Sequence, residues 1–337
     1  MVNHSSNERR RLSPLRILDT VYRFRDARVL LTAFELGVFT ALEGGAKTAI
    51  EVARLLETGE RATDRLMDTL CAMGFLAKTH GKFSNTPLSS RILVEGKPDY
   101  MAGLMHSVSL WRTWSTLTEA VRAGTSVALR EAVDVRGENW LQAFIAAMHM
   151  RAYRQAPAIV ALIDLRGVRR VLDVGGGSGA YSMAFVRAGK GIQAVVFDLP
   201  NVVPLTRRYI EAEGLFDRIE TVTGDYTRDS LGGGFDLVFL SAIIHSNSVD
   251  VNKQLLKKAG DALNPNGRLI IQDHIMDEDR TAPLAGAFFA LNMLVGTQAG
   301  DTYTESEVRS WMEEAGFKSV RRKANPLGTD LMIGRKR

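Results

Sequence analysis

A single cysteine, Cys71, in 337 residues excludes an internal disulfide and leaves the redox compartment open, compatible with the cytoplasm. No apolar run approaches the roughly 18 residues that would suggest a membrane span. The opening stretch, 1–19, carries arginines without an adjoining apolar segment or a small-residue cleavage site, so no secretory signal is expected. Six histidines and one cysteine show no metal-ligand spacing, and no metal is expected. The chain also lacks a Gly-x-Ser-x-Gly elbow, a phosphate-binding lysine loop, internal repeats and low-complexity tracts. These absences set aside disulfide-stapled, membrane-spanning, serine-hydrolase and P-loop classes.

What remains has the composition of an ordinary globular protein, 45% hydrophobic and 24% charged. The length allows two domains at roughly 150 residues each. The net charge of +5 is modest, and much of it sits in Arg9, Arg10, Arg11, Arg16, Arg23, Arg25 and Arg28. Such an arm reads as a solvated terminus, or as a contact for nucleic acid or an acidic partner. Cys71 lies in an apolar helical pattern and reads as a small buried hydrophobe.

Residues 15–56 carry apolar side chains at helical spacing, punctuated by Gly37 and Gly44-Gly45. Thr63 or Asp64 is placed to open the next helix, which runs to Gly74. Phe75-Leu76-Ala77 and Lys82-Phe83-Ser84 read as strands turning at His80-Gly81, so the order is that of a winged helix. Its second helix carries Arg61 and Arg65 but also Asp64 and Asp68, which is no basic stripe for DNA phosphates. Residues 99–165 read as mostly helical, with a kink or break expected at Pro157.

From Arg169 the period changes. Short apolar strands at 171–174, 194–197, 219–222, 237–240 and 269–271 are separated mostly by helical patterns at 179–188, 202–213 and 250–263. Alternation of this kind predicts a parallel sheet covered on both faces. Residues 317–320 and 330–333 can add a terminal antiparallel hairpin. The expected organisation is an α/β chain: a mostly helical winged-helix region over 1–105, helices over 106–165, and a Rossmann-like, seven-stranded domain over 166–337.

The strongest local signal is Val171-Leu172-Asp173-Val174-Gly175-Gly176-Gly177-Ser178-Gly179, a strand entering a glycine turn before a helix. Glycines let a ligand approach the backbone, and the helix start offers free N–H groups. Gly175, Gly177 and Ala180 alone would also fit a relaxed dinucleotide fingerprint. Three acids turn the reading toward S-adenosylmethionine. Asp173, inside the strand, is poorly placed for a pyrophosphate but suits a ligand carrying an ammonium and a sulfonium. Asp198 ends the next strand, where a carboxylate can accept ribose hydroxyls. Asp225 ends the third, where it can accept the adenine amino group while Tyr226 packs on the ring. Each acid alone could merely cap a turn.

At these motifs the chain resembles the small-molecule O-methyltransferases related to plant caffeic acid and bacterial polyketide enzymes. The resemblance rests on Phe34-Glu35-Leu36-Gly37-Val38-Phe39, Leu70-Cys71-Ala72-Met73-Gly74-Phe75-Leu76 and the glycine loop. It continues through Phe197-Asp198-Leu199-Pro200, Gly224-Asp225-Tyr226 and Glu314-Ala315-Gly316-Phe317. It implies a homodimer formed through the N-terminal region, a small-molecule acceptor, and no nucleic-acid or membrane partner. It implies S-adenosylmethionine as cofactor, with S-adenosylhomocysteine (SAH) as product. The cofactor set is then Asp173, Gly175, Gly177, Asp198, Leu199, Asp225, Tyr226 and Ser241, the last standing where many relatives have a lysine. His245 aligns with the family's catalytic histidine and Asp273 with its first acidic partner. Many relatives follow the histidine with Asp-Trp; this chain has Ser246-Asn247. The second acidic partner of plant relatives falls at Thr302, beside Asp301. Met148, Phe288, Asn292 and Met293 are the candidate acceptor pocket.

A phenol and a histidine differ by roughly 3.5 pKa units, or about 5 kcal/mol, so a histidine base works if proton transfer accompanies attack. The residues also leave open a nitrogen, carbon or sulfur acceptor, given Thr302. A nicotinamide oxidoreductase and a DNA-binding metabolite sensor are the more distant alternatives.

Overall fold

The computed structural model describes residues 13–128 and 138–337; Arg9, Arg10 and Arg11 of the basic cluster lie outside the described residues. Two compact units, Met1–Val108 and Ser109–Arg337, divide the chain within the helix Leu104–Trp114.

The first unit starts with helices Pro14–Tyr22, Phe24–Glu35, Val38–Ala41, Ala49–Leu55 and Glu60–Ala72. Ser13 caps the first of them, and Thr48 with Glu51 forms a capping box at the fourth. Strands β1 (Leu76–Thr79) and β2 (Lys82–Asn85) follow as an antiparallel hairpin. His80 and Gly81 turn it at φ 49° and 77°, both in the left-handed region that two-residue hairpin loops require. The winged-helix order is present. One boundary differs: the helix ending at Ala72 opens at Glu60 rather than at Thr63 or Asp64. The Thr63 hydroxyl bonds back to the Gly59 carbonyl at 3.1 Å, which places Thr63 inside the first turn. Phe34, Phe39, Met67, Leu70, Leu76 and Phe83 form the core of this unit. Burial pushes the Cys71 thiol up, as expected of an inert cysteine. Arg65 lies 3.3 Å from Asp64 and 3.5 Å from Asp68.

In the second unit, helices Leu117–Ala123 and Glu138–Val160 lead into β3 (Arg170–Val174). The chain then continues through β4 (Gln193–Asp198), β5 (Ile219–Thr223), β6 (Phe235–Ser241), β7 (Leu263–Asp273), β8 (Ile275–Met276), β9 (Tyr303–Thr304), β10 (Phe317–Lys323) and β11 (Asp330–Lys336). Of the kink or break expected at Pro157, the break does not occur: a single helix carries that residue in its last turn and ends at Val160. The proline forgoes the bond to the Tyr153 carbonyl one turn earlier, and the helix runs only three residues beyond it.

Seven strands, ordered β10-β11-β7-β6-β3-β4-β5, form the main sheet. The five from β3 to β7 run parallel; β11 is antiparallel to both β7 and β10. Side chains alternate between two buried faces. Leu172, Val174, Val238, Leu240, Leu269 and Ile271 pack with helices Val249–Ala262 and Glu305–Glu314. Val171, Val196, Leu237, Phe239, Ile270 and Ile333 pack with helix Ala180–Ala188 and the end of Glu138–Val160. Burial on both faces is why the strands read as unbroken apolar runs. The chain builds outward from β3 through β5 and then returns to place β6 on the other side of β3. The carboxyl ends of β3 and β6 therefore flank the crevice where open α/β sheets bind ligands.

Phe239 is fully buried, with Tyr181 and Phe185 rings 4.9 and 5.2 Å away. Phe239→Ala is expected to cost about 3–5 kcal/mol, measured by denaturant unfolding. A loss below about 1 kcal/mol would show that this face is not the packed core described.

Candidate active site

Strand β3 ends in Val174, and Gly175 turns the chain at φ 65°, its N–H donating to the Phe197 carbonyl of β4 at 2.7 Å. A Cβ on Gly175 would press on the end of the Ile243 side chain, and the φ of 65° is one that other residues rarely adopt, so glycine suits the point where the β3 turn meets the segment after β6. Gly177 and Gly179 also take positive φ, and Gly179 starts the helix Ala180–Ala188.

The predicted carboxylates stand in three different states. Asp173 is 1% exposed beneath this loop, with Oδ2 accepting from the Ser182 hydroxyl at 2.8 Å and Oδ1 without a hydrogen-bond partner. Burial, reinforced by the charge of Asp198, pushes it up to about 7 against the opposing Ser182 bonds. Asp198 accepts the Gly177 N–H on Oδ2 and the Leu199 N–H on Oδ1, both at 2.8 Å, so it ties the end of β4 to the glycine loop. Burial raises its pKa, and the two amides oppose the rise. A carboxylate offers about four lone-pair sites, so each oxygen of Asp198 keeps acceptor capacity. Asp225 turns Oδ1 onto the Thr227 hydroxyl and amide at 2.7 and 2.9 Å, bonds that hold it below the usual carboxylate range. Its Oδ2 lies 3.7 Å from Arg228. Tyr226 packs against the core and donates its hydroxyl to Asn247 at 3.0 Å. Leu199 is exposed. Ser241 donates to Gln272 Oε1 at 2.7 Å, and Gln272 in turn donates to Thr329 at 2.8 Å.

Beyond Ser241 the chain leaves β6 through Ala242, at φ 56°, into the short turn Ile244–Ser246. Ser241 pairs with Gln272 across β6 and β7, so the turn arrives beside Asp273. His245 Nδ1 lies 2.8 and 3.0 Å from the two Asp273 oxygens. The His245 and His274 N–H groups also donate to this carboxylate, at 3.4 and 2.8 Å. Burial would raise the pKa of Asp273, but the His245 ring and the His274 amide overcome it and hold the carboxyl below its usual value. An ionised carboxylate only accepts, so Nδ1 carries a proton, and in the neutral ring Nε2 is then the acceptor. Among the described residues no hydrogen bond reaches Nε2.

The position of the second acid is occupied differently. Thr302 is buried at 2% exposure, and Asp301 turns its carboxylate onto the Thr302 N–H at 2.7 Å and toward Arg280 at 3.5 Å. Only the backbone N–H of Asp301 reaches the histidine, donating to the His245 carbonyl at 3.0 Å. Among the described residues, Asp273 is the one carboxylate bonded to the imidazole.

Of the acceptor-pocket candidates, Met293 is buried and Asn292 accepts from Trp114 Nε1 at 2.9 Å. Met148 is half-buried on the helix Glu138–Val160. Phe288 is 55% exposed, while its neighbour Phe289 stands edge-on to His245 at 4.7 Å and lies against His274 at 4.5 Å. Phe289 is not legible in the sequence because two adjacent aromatics on an apolar helix carry no mark of which one turns inward. His149 meets the glycine loop through Nδ1, 2.9 Å from the Ser178 hydroxyl, with its ring stacked on Tyr209 at 4.1 Å.

With its folded pKa depressed, Asp273 contributes stability that is complete above its unfolded pKa of about 3.9. That stability is lost as pH falls through the folded value. In His245→Ala the burial of Asp273 is no longer opposed by the imidazole. The acid-side loss is then expected to shrink or change sign in unfolding free energy followed from pH 6 to pH 3. Superimposable pH profiles for the two proteins would refute the assigned pairing.

The chain matches two family models: an O-methyltransferase domain over residues 114–318 and an O-methyltransferase dimerisation domain over residues 18–95. It is 33% identical over 330 residues to the 3-hydroxy-5-methyl-1-naphthoate 3-O-methyltransferase of Streptomyces sahachiroi, covering 95% of each chain. Among solved structures it is similar to PigF with SAH, at 25% identity and a TM-score of 0.87, covering 96% of this chain and 100% of that one. It is also similar to human N-acetylserotonin methyltransferase in complex with SAM, at 26% identity and a TM-score of 0.82, covering 97% and 99%. With its dimerisation region and its glycine-loop sheet both matched, this chain belongs to the O-methyltransferase family.

Proposed function

We propose that the protein transfers the methyl group of S-adenosylmethionine to a hydroxyl of a small aromatic acceptor, with His245 as the general base. The observation that carries this reading is the His245–Asp273 contact at 2.8 Å, which leaves Nε2 as the ring's free acceptor at the mouth of the sheet.

The residues fit the cofactor. The glycine turn carries no side chain from Gly175 to Gly177, Asp198 keeps lone pairs for ribose hydroxyls, and the buried Oδ1 of Asp173 has no partner among the described residues. A carboxyl poised near 7 gains from a positive charge nearby, which suits a ligand carrying an ammonium and a sulfonium. Oδ2 of Asp225 and the ring of Tyr226 are the groups for the adenine, with exposed Leu199 beside the ribose acid. Ser241 stands at the strand end with its hydroxyl directed to Gln272. When bound, S-adenosylmethionine supplies an electrophilic methyl group.

The protein's own task is to orient the acceptor and to take its proton. Nε2 accepts that proton as the hydroxyl oxygen attacks, and the imidazolium that forms is stabilised by the buried Asp273 carboxylate. The Phe289 ring stands nearly perpendicular to the imidazole at 4.7 Å and flanks it. Asn292, Met293 and Met148, with Phe288 at the exposed side, are proposed to meet the acceptor. Methionine adapts to flat apolar rings. The naphthoate named for the Streptomyces relative supports an aromatic acceptor here.

The N-terminal unit is proposed to pair two copies of the chain. Its helix Pro14–Tyr22 buries none of its residues, while Leu15, Ile17, Leu18, Val21 and Tyr22 are exposed, and the dimerisation match covers most of this helix. The acids around Arg65 support a role without nucleic acid. Among the described residues no helix is long and apolar enough to cross a membrane. The lone unpaired cysteine fits a cytoplasmic setting.

The test is methyl transfer to a phenol panel, with cofactor binding measured separately by calorimetry. His245→Ala is expected to lower kcat by about 100-fold or more while leaving cofactor affinity nearly unchanged. Asp198→Ala is expected to weaken cofactor binding by about 10–100-fold, the worth of a hydrogen-bonded charge. Full activity in His245→Ala would remove base-assisted O-methylation. Unchanged binding in Asp198→Ala would remove the cofactor site.

A further inference from the structure

The segment after the histidine departs from the family pattern, with Ser246-Asn247 where many relatives have Asp-Trp. Asn247 is 8% exposed and Asn252 fully buried, so both amides need partners. They find them in a chain. Tyr226 Oη donates to Asn247 Oδ1 at 3.0 Å, Asn247 Nδ2 to Asn252 Oδ1 at 3.1 Å, and Asn252 Nδ2 to the Ile244 carbonyl at 2.9 Å. Ile244 immediately precedes His245 in the short turn. The Asn247 carbonyl also accepts the Tyr303 hydroxyl at 2.5 Å.

The last link fixes the direction of the whole chain. A carbonyl can only accept, so Asn252 must present its NH₂ to Ile244 and its oxygen to Asn247. Asn247 must then present its own NH₂ to Asn252 and its oxygen to Tyr226, which must donate. No other amide orientation satisfies all three bonds, and bonds aligned head to tail strengthen one another. An indole has one N–H and no acceptor, so a tryptophan at 247 could end such a chain but not pass it on.

We propose that Asn247 is a positioning residue that joins the tyrosine flanking the cofactor to the turn carrying the base, so that Tyr226 and His245 are set by one hydrogen-bonded unit. This rests on the reading above that Tyr226 meets the adenine and His245 takes the proton. Neither Asn247 nor Asn252 need touch a ligand. Their effect passes through the Ile244 carbonyl to the angle at which Nε2 faces the acceptor, and small errors in that angle lower the rate.

The experiment is a double-mutant cycle on the full-length protein with Tyr226→Phe, Asn247→Ala and both together, measuring kcat, acceptor KM, cofactor Kd and Tm. Tyr226→Phe removes one oxygen and keeps the ring. It is expected to lower kcat by up to about 10-fold, the scale of one neutral hydrogen bond, with cofactor Kd and Tm nearly unchanged. The double variant is expected to be no slower than Asn247→Ala alone. Unchanged kcat in Tyr226→Phe, or losses that multiply in the double variant, would overturn the proposal. A fall in Tm alone, with the folded enzyme at full rate, would also overturn it, because that is what a merely structural role gives. If Asn247→Ala does not fold, Tyr226→Phe alone decides by the split between kcat and Kd. Tyr226→Ala separates the underlying reading: cofactor Kd unchanged on loss of the ring removes the adenine contact, whatever the cycle shows.

Discussion

A carboxylate at 1% exposure is stable only if its charge is answered, and Asp273 is answered by one ring nitrogen and two backbone amides. That requirement orders the site around it. The register of β6 against β7 brings the turn to the carboxylate, and the left-handed Ala242 bends the chain off the strand in time to do so. Once Nδ1 is committed, the neutral imidazole has one rotamer and one tautomer, and its other nitrogen is the one proposed as the base. The Asp301 N–H and the Asn252 amide hold the backbone of the same turn from two further directions. The ring therefore needs no second carboxylate to fix it, which is how the chain accommodates Thr302.

The cofactor side follows a different electrostatic logic. Asp173, Asp198 and Asp225 end three neighbouring strands, yet burial raises the first two while local hydrogen bonds lower the third. A buried acid with an unpartnered oxygen gains from a cationic ligand, an acid held by two backbone amides is rigid enough to present lone pairs to hydroxyls, and a half-buried anion can accept from an amine. These are the three demands made by an adenosyl group joined to a charged methionine. The glycine turn lets them be met close together, because Gly175, Gly176 and Gly177 add no side chains of their own there. Ile243 reaches across to Gly175 and puts the base side in contact with the cofactor side at a second point besides the Tyr226–Asn247 bond.

Much of this was legible in the sequence. The parallel strands stood out because both faces of the sheet are buried, and the β1–β2 turn because His80-Gly81 must take positive φ. The strand-end acids and His245 were visible from the topology and the family resemblance. Side-chain direction was not. Phe288 and Phe289 are indistinguishable by periodicity, yet only the second meets the imidazole. Asp301 could have been thought to replace the missing acid, but its carboxylate is spent on the Thr302 amide and the Arg280 guanidinium. Pro157 promised a break in a helix that in fact ends one turn later. The Ser246-Asn247 departure is plain in the sequence, but the bond from Asn247 to Asn252 is not, because nothing in the spacing of two polar residues shows that their side chains meet.

The account stands on the protonation of one ring. Nitrogen-15 NMR of the histidine side chains in the S-adenosylhomocysteine complex at neutral pH reads it directly. It should show His245 neutral, with a proton on Nδ1 bonded to Asp273 and a bare Nε2. A proton found on Nε2, with Nδ1 bare, would mean that the nitrogen facing the acceptor cannot take its proton, and would contradict the central claim.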